Sequence, residues 1–315
     1  MQNLRFHLVL LLSFLLIGCS SSSTNNQPKG NTTSLAGIEE MGTPMPRGGS
    51  ESNVQKKKIR YQAVQDTALA LGAQSGLAWE SRNIDEQLEQ QAATLEKIYN
   101  FNALILDHDI LPPVLLESRN ILHLADTNTI RIADRRFKIL RQAHFITTAP
   151  NWRQYLWMDY MTPERPSDSL LPEDNYEQEI WDYYAALGWE QGIQQAGDIF
   201  SNNVARLKED FSGMILYRKL LAQNMVSPPY VANTDLGITG DSAEINIDDR
   251  VLRITALPQL NTDSSQWNAV VAENKAALVR YDNMEKLAEE HTLSLTEKVT
   301  SDTWHPVISN MSGHE

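Results

Sequence analysis

Three consecutive polar residues, Asp107-His108-Asp109, are of the types that could bind a metal or act as a base. Neighbouring residues point in different directions on a helix or a strand, so these side chains would not converge on one ion. The other histidines after residue 18 show no paired ligand spacing. They are His123, His144, His291, His305 and His314. We therefore predict no metal site.

Other catalytic signatures do not occur in the sequence. It contains neither a G-x-S-x-G nucleophile motif nor a G-x-x-x-x-G-K phosphate loop. Carboxylates such as Glu86 and Glu177 are abundant, but on amphipathic helices they most often form the solvated face. Glycan hydrolysis would need two carboxylates about 5–10 Å apart across a cleft. We predict no catalytic residues; a peptidoglycan-acting enzyme and a small-molecule binding protein are the alternatives.

The only cysteine, Cys19, ends a segment typical of a secretory signal peptide. Arg5 precedes an apolar block over 8–15, and Gly18 stands before the cysteine. The block is too short to cross a bilayer core, which takes about 20 residues. The ending resembles a bacterial lipobox, in which the thiol receives a diacylglycerol and the chain is cut before the cysteine. This predicts a signal peptide over 1–18 and a covalent lipid on Cys19 as the only cofactor.

The residues after the cysteine and the overall charge indicate where the protein is held. Ser20 replaces the aspartate that commonly retains lipoproteins in the inner membrane, which implies the periplasmic face of the outer membrane. The formal net charge of −13 disfavours binding to nucleic acid and to anionic lipid, so the acyl chains must supply the contact with the membrane lipid. Residues 19–57 are polar and contain several Ser, Gly and Pro, which predicts a lipidated, disordered tether.

Residues 58–271 are predicted to form one periplasmic domain of α+β class. Apolar residues recur every three or four positions over about 61–106 and about 174–225, as on amphipathic helices. A turn is expected at Ser81-Arg82-Asn83. Three glycines in the second region, at 188, 192 and 197, predict a kink or close packing.

Alternating apolar and polar residues predict two β-hairpins. The first spans about 120–133, with a turn at Asp126-Thr127-Asn128, and the second spans about 243–256, with a turn at Asp248-Asp249. From 134 to 144 the sequence allows either a longer strand or a helix. The segment 272–315 is predicted to contain a helix to about residue 290 and a polar tail that frays from about Thr292.

Four aromatic residues stand close together in the proline-rich segment 150–172. They are Trp152, Tyr155, Trp157 and Tyr160. Tryptophan and tyrosine are prominent among interface hot-spot residues, so these side chains are candidate interface anchors. Packing in the core is the alternative.

Five segments of the predicted domain carry the features of one family. They are Tyr-Asn-Phe at 99–101, Leu-Pro-Pro-Val at 111–114, Thr-Ile-Arg-Ile-Ala-Asp at 129–134, Pro-Tyr-Val-Ala at 229–232 and Asp-Arg-Val-Leu-Arg-Ile-Thr-Ala-Leu-Pro at 249–258. Together with the lipobox, they resemble the DotC lipoproteins of Dot/Icm (type IVB) secretion systems. The resemblance covers about residues 58–271.

That resemblance implies a structural component of the secretion core complex at the outer membrane. It further implies a large multi-copy assembly with DotD-like and DotH-like partners. In that assembly the protein would help to localise the DotH-like channel component and so support effector translocation. No catalytic residue is implied, and the lipidated Cys19 is the only residue role that carries over.

Overall fold

The computed structural model describes residues 32–42, 54–267 and 272–301. Its helices are α1 (Leu35–Met41), α2 (Val54–Gln90), α3 (Ala92–Ile98), α4 (Arg153–Leu156), α5 (Asn175–Ala222) and α6 (Ala272–Ser301). Its strands are β1 (Ile110–Leu111), β2 (Val114–Asp126), β3 (Thr129–Arg141), β4 (His144–Phe145), β5 (Tyr230–Gly240) and β6 (Ile245–Ala256). The fold is α+β, as predicted. None of the described helices combines the length and the apolar character that crossing a membrane requires.

The two long helices, α2 and α5, pack side by side and run parallel. Gly188 of α5 lies against the Leu69 carbonyl of α2, and Gly192, one turn later, lies against the Ala73 carbonyl. Residue numbers on both helices therefore rise in the same direction. A Cβ atom at either glycine would overlap the neighbouring backbone, so these glycines permit the close approach of the two helices. Close packing is thus confirmed for them, whereas Gly197 faces open space.

The turn predicted at Ser81-Arg82-Asn83 is wrong, because α2 is helical throughout. The Ser81 hydroxyl donates to the Leu77 carbonyl at 2.7 Å, and Arg82 Nε donates to the Ala78 carbonyl at 3.1 Å. These polar side chains find partners one turn back in the same helix, so they do not end it.

Part of the predicted tether is ordered. The Ser34 side chain accepts a hydrogen bond from the Gly37 N–H and caps α1. The helix buries Ile38 and Met41, and Trp181 Nε1 of α5 donates to the Ile38 carbonyl at 2.8 Å. A disordered tether is therefore wrong for residues 32–42, and also for residues 54–57, which begin α2. Cys19, the signal peptide and the tether residues 19–31 and 43–53 lie outside the described residues.

The first hairpin is confirmed and is longer than predicted. Strands β2 and β3 are antiparallel. Val114 pairs with Arg141 at the base and Asp126 pairs with Thr129 at the tip, so the turn lies where the sequence places it. β3 runs on to Arg141, which excludes the alternative helix over 134–144.

The second hairpin, predicted over about 243–256, is wrong, because most of this range is the single strand β6, whose partner is a strand that was not predicted, β5. β5 pairs with β6, and the chain turns over 241–244. β6 continues through Asp248 and Asp249, where Asp248 has a φ of 59° and the register shifts. A bulge of this kind resembles a turn in sequence because it uses the same residue types.

Helix α6 packs on α5 and α3 and is longer than predicted, since it continues to Ser301. Thr292 is buried, and its hydroxyl lies 2.7 Å from the Tyr99 hydroxyl. Lys219 of α5 forms ion pairs with Asp282 at 2.5 Å and Glu285 at 2.6 Å. Fraying is therefore wrong for residues 292–301, which continue α6. The rest of the predicted tail, 302–315, lies outside the described residues.

Three apolar clusters follow α5 from end to end. The first surrounds Trp181 and joins α1 to the helix pair. The largest cluster packs Phe101, Trp152 and Phe211 under the short helices α3 and α4. The third, around Tyr217 at the C-terminal end of α5, supports the bases of both hairpins.

Candidate functional site

The hairpin β2–β3 is fixed to α5 at its base. Val114 and Leu115 are buried, and a Cβ atom on Gly213 would lie 2.5 Å from Val114 Cγ1. Arg141 at the end of β3 forms an ion pair with Asp210 of α5. The Tyr155 hydroxyl donates to Asp210 Oδ2 at 2.8 Å. The base is therefore part of the folded core.

The outer part of this hairpin carries an exposed aliphatic face. Leu122 pairs with Ile132, and Leu124 pairs with Ile130. Directly paired residues, and residues two apart on one strand, share a face. All four side chains are exposed, and Ile132 keeps 71% of its surface accessible. The opposite face packs on α5 at the base, through Leu115 and the partly buried side chains of Phe137 and Ile139.

Positive charge dominates the same hairpin, which we call the basic hairpin (residues 114–141). Its cations are Arg119, Arg131, Arg135, Arg136, Lys138 and Arg141, and its acids are Glu117, Asp126 and Asp134. Arg135 and Arg119 donate to Glu117 Oε1 at 2.8 and 2.9 Å, and these hydrogen bonds, the one from Arg135 above all, lower the pKa of Glu117. The cations at 131, 136 and 138 form no ion pair with any described residue.

The turn of the basic hairpin is held by one carboxylate. The Asn128 N–H donates to Asp126 Oδ1 at 2.8 Å. This hydrogen bond is the main cause that lowers the pKa of Asp126, because it favours the charged form. The aspartate therefore has a local structural role at the tip.

The hairpin β5–β6 follows the C-terminal end of α5, where buried Val226 forms a bridge with Leu260. The Tyr217 hydroxyl donates to the Ser227 carbonyl at 3.3 Å. Burial raises the pKa of Tyr217 to about 12, so the hydroxyl keeps its proton at neutral pH. These contacts fix the base of the second hairpin to the same end of α5 as the first.

Beyond its base, this second hairpin buries nothing. No residue of β5 or β6 is buried. Ile238 and Ile247 flank the Thr239–Asn246 pair, and Ile245 lies on the same face as Ile247. These three isoleucines are exposed and form a second aliphatic face. Leu236, which lies beyond a register shift in β5, is also exposed.

Negative charge dominates this hairpin, which we call the acidic hairpin (residues 230–256). Its acids are Asp235, Asp241, Glu244, Asp248 and Asp249, and its cations are Arg250 and Arg253. Asp241 Oδ1 accepts the N–H groups of Ala243 and Glu244 at the turn, and both hydrogen bonds lower its pKa.

The Asp107-His108-Asp109 run forms a tight turn rather than a ligand cluster. The Leu106 N–H donates to the Ile110 carbonyl at 2.9 Å, and His108 and Asp109 have φ values of 64° and 55°. Asp and His are among the residues that tolerate this conformation. In residues 32–42, 54–267 and 272–301, no group of three His, Cys, Asp or Glu side chains could hold a metal. His108 lines a shallow cavity of about 690 Å³ beside the acidic hairpin.

The buried acids connect different parts of the fold. Glu177 accepts hydrogen bonds from Arg60 Nε at 2.7 Å and Nη2 at 2.9 Å. Asp85 Oδ1 accepts the Met158 N–H at 3.1 Å, and burial raises the pKa of Asp85 to about 6. Because these acids bind partners at separate places, they do not form the pair of facing carboxylates that glycan hydrolysis needs.

The four candidate aromatic residues divide into two pairs. Trp152 is fully buried, and Tyr155 stacks on Phe101 with ring centroids 5.7 Å apart. This pair packs in the core. Trp157 and Tyr160 are exposed, and their role as interface anchors stays a prediction.

Sequence reasoning missed the two aliphatic hairpin faces. The alternation of apolar residues was the available signal, but alternation shows only that side chains share a face. Whether another layer of the protein covers that face depends on the tertiary fold.

A family model agrees with this chain over residues 58–269, a range that includes both hairpins and nearly all of α2 and α5. The family is T4SS TraI, described as type IV secretory system, conjugal DNA-protein transfer. A comparison with the curated proteins found no match.

Proposed function

This chain belongs to the TraI family of the type IV secretory system, and we propose that it serves this system as a structural lipoprotein at the periplasmic face of the outer membrane. The family match over residues 58–269 carries the general role in secretion or conjugal transfer. The membrane address and the structural mode of action are the finer parts of the proposal.

The lipid on Cys19 is proposed from the signal-peptide pattern that this cysteine ends. Each buried methylene contributes about 0.8 kcal/mol, so two or more acyl chains give stable anchoring. Between Cys19 and Thr32, where the described chain begins, a fully extended backbone could reach roughly 45 Å. The folded part would therefore stay within a bounded distance of the membrane.

A structural rather than catalytic role is supported by how the polar side chains are used. The buried acids Asp85, Glu177 and Asp210 bind partners within the fold. The two hairpins each expose a group of neighbouring aliphatic side chains on one face, and exposed apolar faces of this kind mark interaction sites. We propose no enzymatic activity and no cofactor besides the covalent lipid.

The finer assignment is to the DotC-like lipoproteins, which would act with DotD-like and DotH-like proteins to localise the channel component. Four of the five segments that carry the resemblance lie in the hairpins or at their bases, namely 111–114, 129–134, 229–232 and 249–258. The resemblance is therefore concentrated in the hairpins and in the buried residues that fix them to the core.

A deletion strain tests this function. Loss of the chain should abolish type IV transfer and remove the DotH-like component from the outer-membrane fraction. Wild-type chain supplied in trans should restore both, whereas Cys19→Ser should give a folded protein that is unlabelled by a fatty-acid probe and absent from that fraction. Normal transfer together with normal placement of the DotH-like component in the deletion strain would refute the proposed role.

A further inference from the structure

Neither hairpin has a core of its own beyond its base. Every residue of β5 and β6 is at least partly exposed, and so is every residue of the basic hairpin from 116 to 138. Each hairpin is a separate two-stranded sheet, and such a sheet is only marginally stable in water. The outer edges of both hairpins also present unpaired backbone groups, which can pair with another chain.

The exposed faces match one another in chemistry. The basic hairpin shows Leu122, Leu124, Ile130 and Ile132, and the acidic hairpin shows Ile238, Ile245 and Ile247. Branched aliphatic side chains on pleated surfaces pack well against each other. Burying both faces together would remove the two aliphatic surfaces from water at once.

Charge determines which hairpin pairs with which. The basic hairpin has six cations against three acids, and the acidic hairpin has five acids against two cations. On β3, Arg136 and Lys138 lie on the same face as Ile130 and Ile132. Two basic hairpins, or two acidic ones, would place like charges together, whereas a basic and an acidic hairpin are complementary.

We propose that the basic hairpin of one copy of this chain docks on the acidic hairpin of a second copy. Each copy then offers two different surfaces, so the contact is head-to-tail. Contacts of this type close into rings or extend as filaments. The proposal rests on the proposed structural role, because it describes how copies of the chain join within the assembly.

Disulfide trapping between variants that each carry one introduced cysteine tests the contact. Two differently tagged full-length copies are co-expressed, one carrying Ile132→Cys and the other Ile247→Cys, and envelopes are oxidised. These positions are 71% and 72% exposed, so the substitutions should not disturb folding. We expect a mixed disulfide dimer only when both variants are present.

The matched control replaces Ile59 of α2, which is 70% exposed and lies at the other end of the helix pair. Ile59→Cys with Ile132→Cys should give no dimer above the background of the unsubstituted chain. Absence of a dimer from the 132/247 pair would overturn the proposal. So would equal trapping of Ile132→Cys with itself, because this would show a contact between like hairpins.

A charge exchange supplies an independent measurement. In the purified full chain, Arg136→Glu with Lys138→Glu should weaken self-association at least ten-fold, as measured by sedimentation at low salt. Adding Asp235→Lys and Glu244→Lys in the same chain should restore it, because each hairpin then carries the opposite sign. The proposal would be overturned if the four-fold variant failed to regain self-association, or if Arg136→Glu with Lys138→Glu left self-association unchanged. Loss of export in the deletion strain would be unaffected by either result.

Discussion

Burial of Asp85 against the Met158 backbone makes folding depend on pH. Its pKa is raised to about 6 in the folded protein, against roughly 3.9 in an unfolded chain. Between these values the folded state keeps a proton that the unfolded state has lost. The contribution of this residue to stability is therefore greatest below about pH 4 and falls as the pH rises through about 6.

Asp85→Asn should accordingly stabilise the protein more at high pH than at low pH. The amide oxygen can still accept the Met158 N–H, while the buried charge is removed. We expect the melting temperature of the variant to exceed that of the wild type at pH 8, and the difference to shrink at pH 4.5. Thermal unfolding followed by circular dichroism measures both.

Asp66→Asn is the control for this experiment, since Asp66 is an exposed residue of the same helix. The difference in melting temperature between Asp66→Asn and the wild type should not shrink from pH 8 to pH 4.5 as it does for Asp85→Asn. A pH-independent difference for Asp85→Asn would contradict the assigned ionisation.

Residue roles were predictable from the sequence where the determining contacts are local. The turn at Asp126-Thr127-Asn128 depends on a side chain and a backbone N–H two residues apart, and the sequence places it correctly. The burial of Trp152 depends on packing against distant parts of the chain in the main core. The local sequence does not distinguish the buried Trp152 from the exposed Trp157.

Among the elements, the parallel contact of α2 with α5 gives a matched pair of glycine substitutions. Gly192→Ala would place a Cβ atom against the Ala73 carbonyl, whereas Gly197→Ala meets nothing within 4 Å. We expect the first to lower the free energy of unfolding by about 1–3 kcal/mol through overpacking. The second should raise it by up to about 1 kcal/mol, because alanine favours helix.

Urea denaturation of both variants measures these free energies. A stabilising effect of Gly192→Ala equal to that of Gly197→Ala would show that the helices do not approach as closely as the structure places them.

Element types were easier to predict than element boundaries. Period-3.6 and period-2 patterns identified the long helices and the first hairpin, but the pattern over 243–256 was assigned to two strands where the structure has one, and its partner β5 was not predicted. The break expected at Ser81 failed because its hydroxyl bonds within the helix. The turn expected at Asp248-Asp249 failed because a bulge with positive φ uses the same residue types as a turn. In each case, a polar residue was compatible with two local structures and long-range packing decided between them.

For the molecule as a whole, the helical part should fold without the outer half of the basic hairpin. Ser118 and Arg136 are directly paired, so residues 119–135 can be replaced by an Asn-Gly turn. The buried base at Val114 and Leu115 is kept. We expect the helical circular dichroism and a cooperative thermal transition to persist, with the melting temperature changed by only a few degrees.

Loss of a cooperative transition in this shortened chain would show that the outer hairpin contributes to the core. Retained folding would instead indicate that residues 119–135 are kept for contact with a partner. The shortened chain keeps the acidic hairpin unchanged, so that hairpin is an internal control for the rest of the surface.

The sequence could predict the α+β class but not the arrangement of its parts. Whether α2 and α5 run parallel or antiparallel depends on where the segment 91–174 returns the chain. The contacts that decide this, such as Arg60 with Glu177, join residues far apart in sequence. The exposure of the two aliphatic faces also depends on the tertiary arrangement, because no later element of the described chain packs over them.

The helix α5 sets the distance between the elements that pack near its two ends, because three apolar clusters hold them along its length. The docked N-terminal helix meets α5 at Trp181, and the basic hairpin meets it at Gly213. Along a helix axis these two levels are about 48 Å apart. The distance between α1 and the base of the basic hairpin is thus set by the length of α5. Adding two turns to both α2 and α5 would increase that distance by about 11 Å.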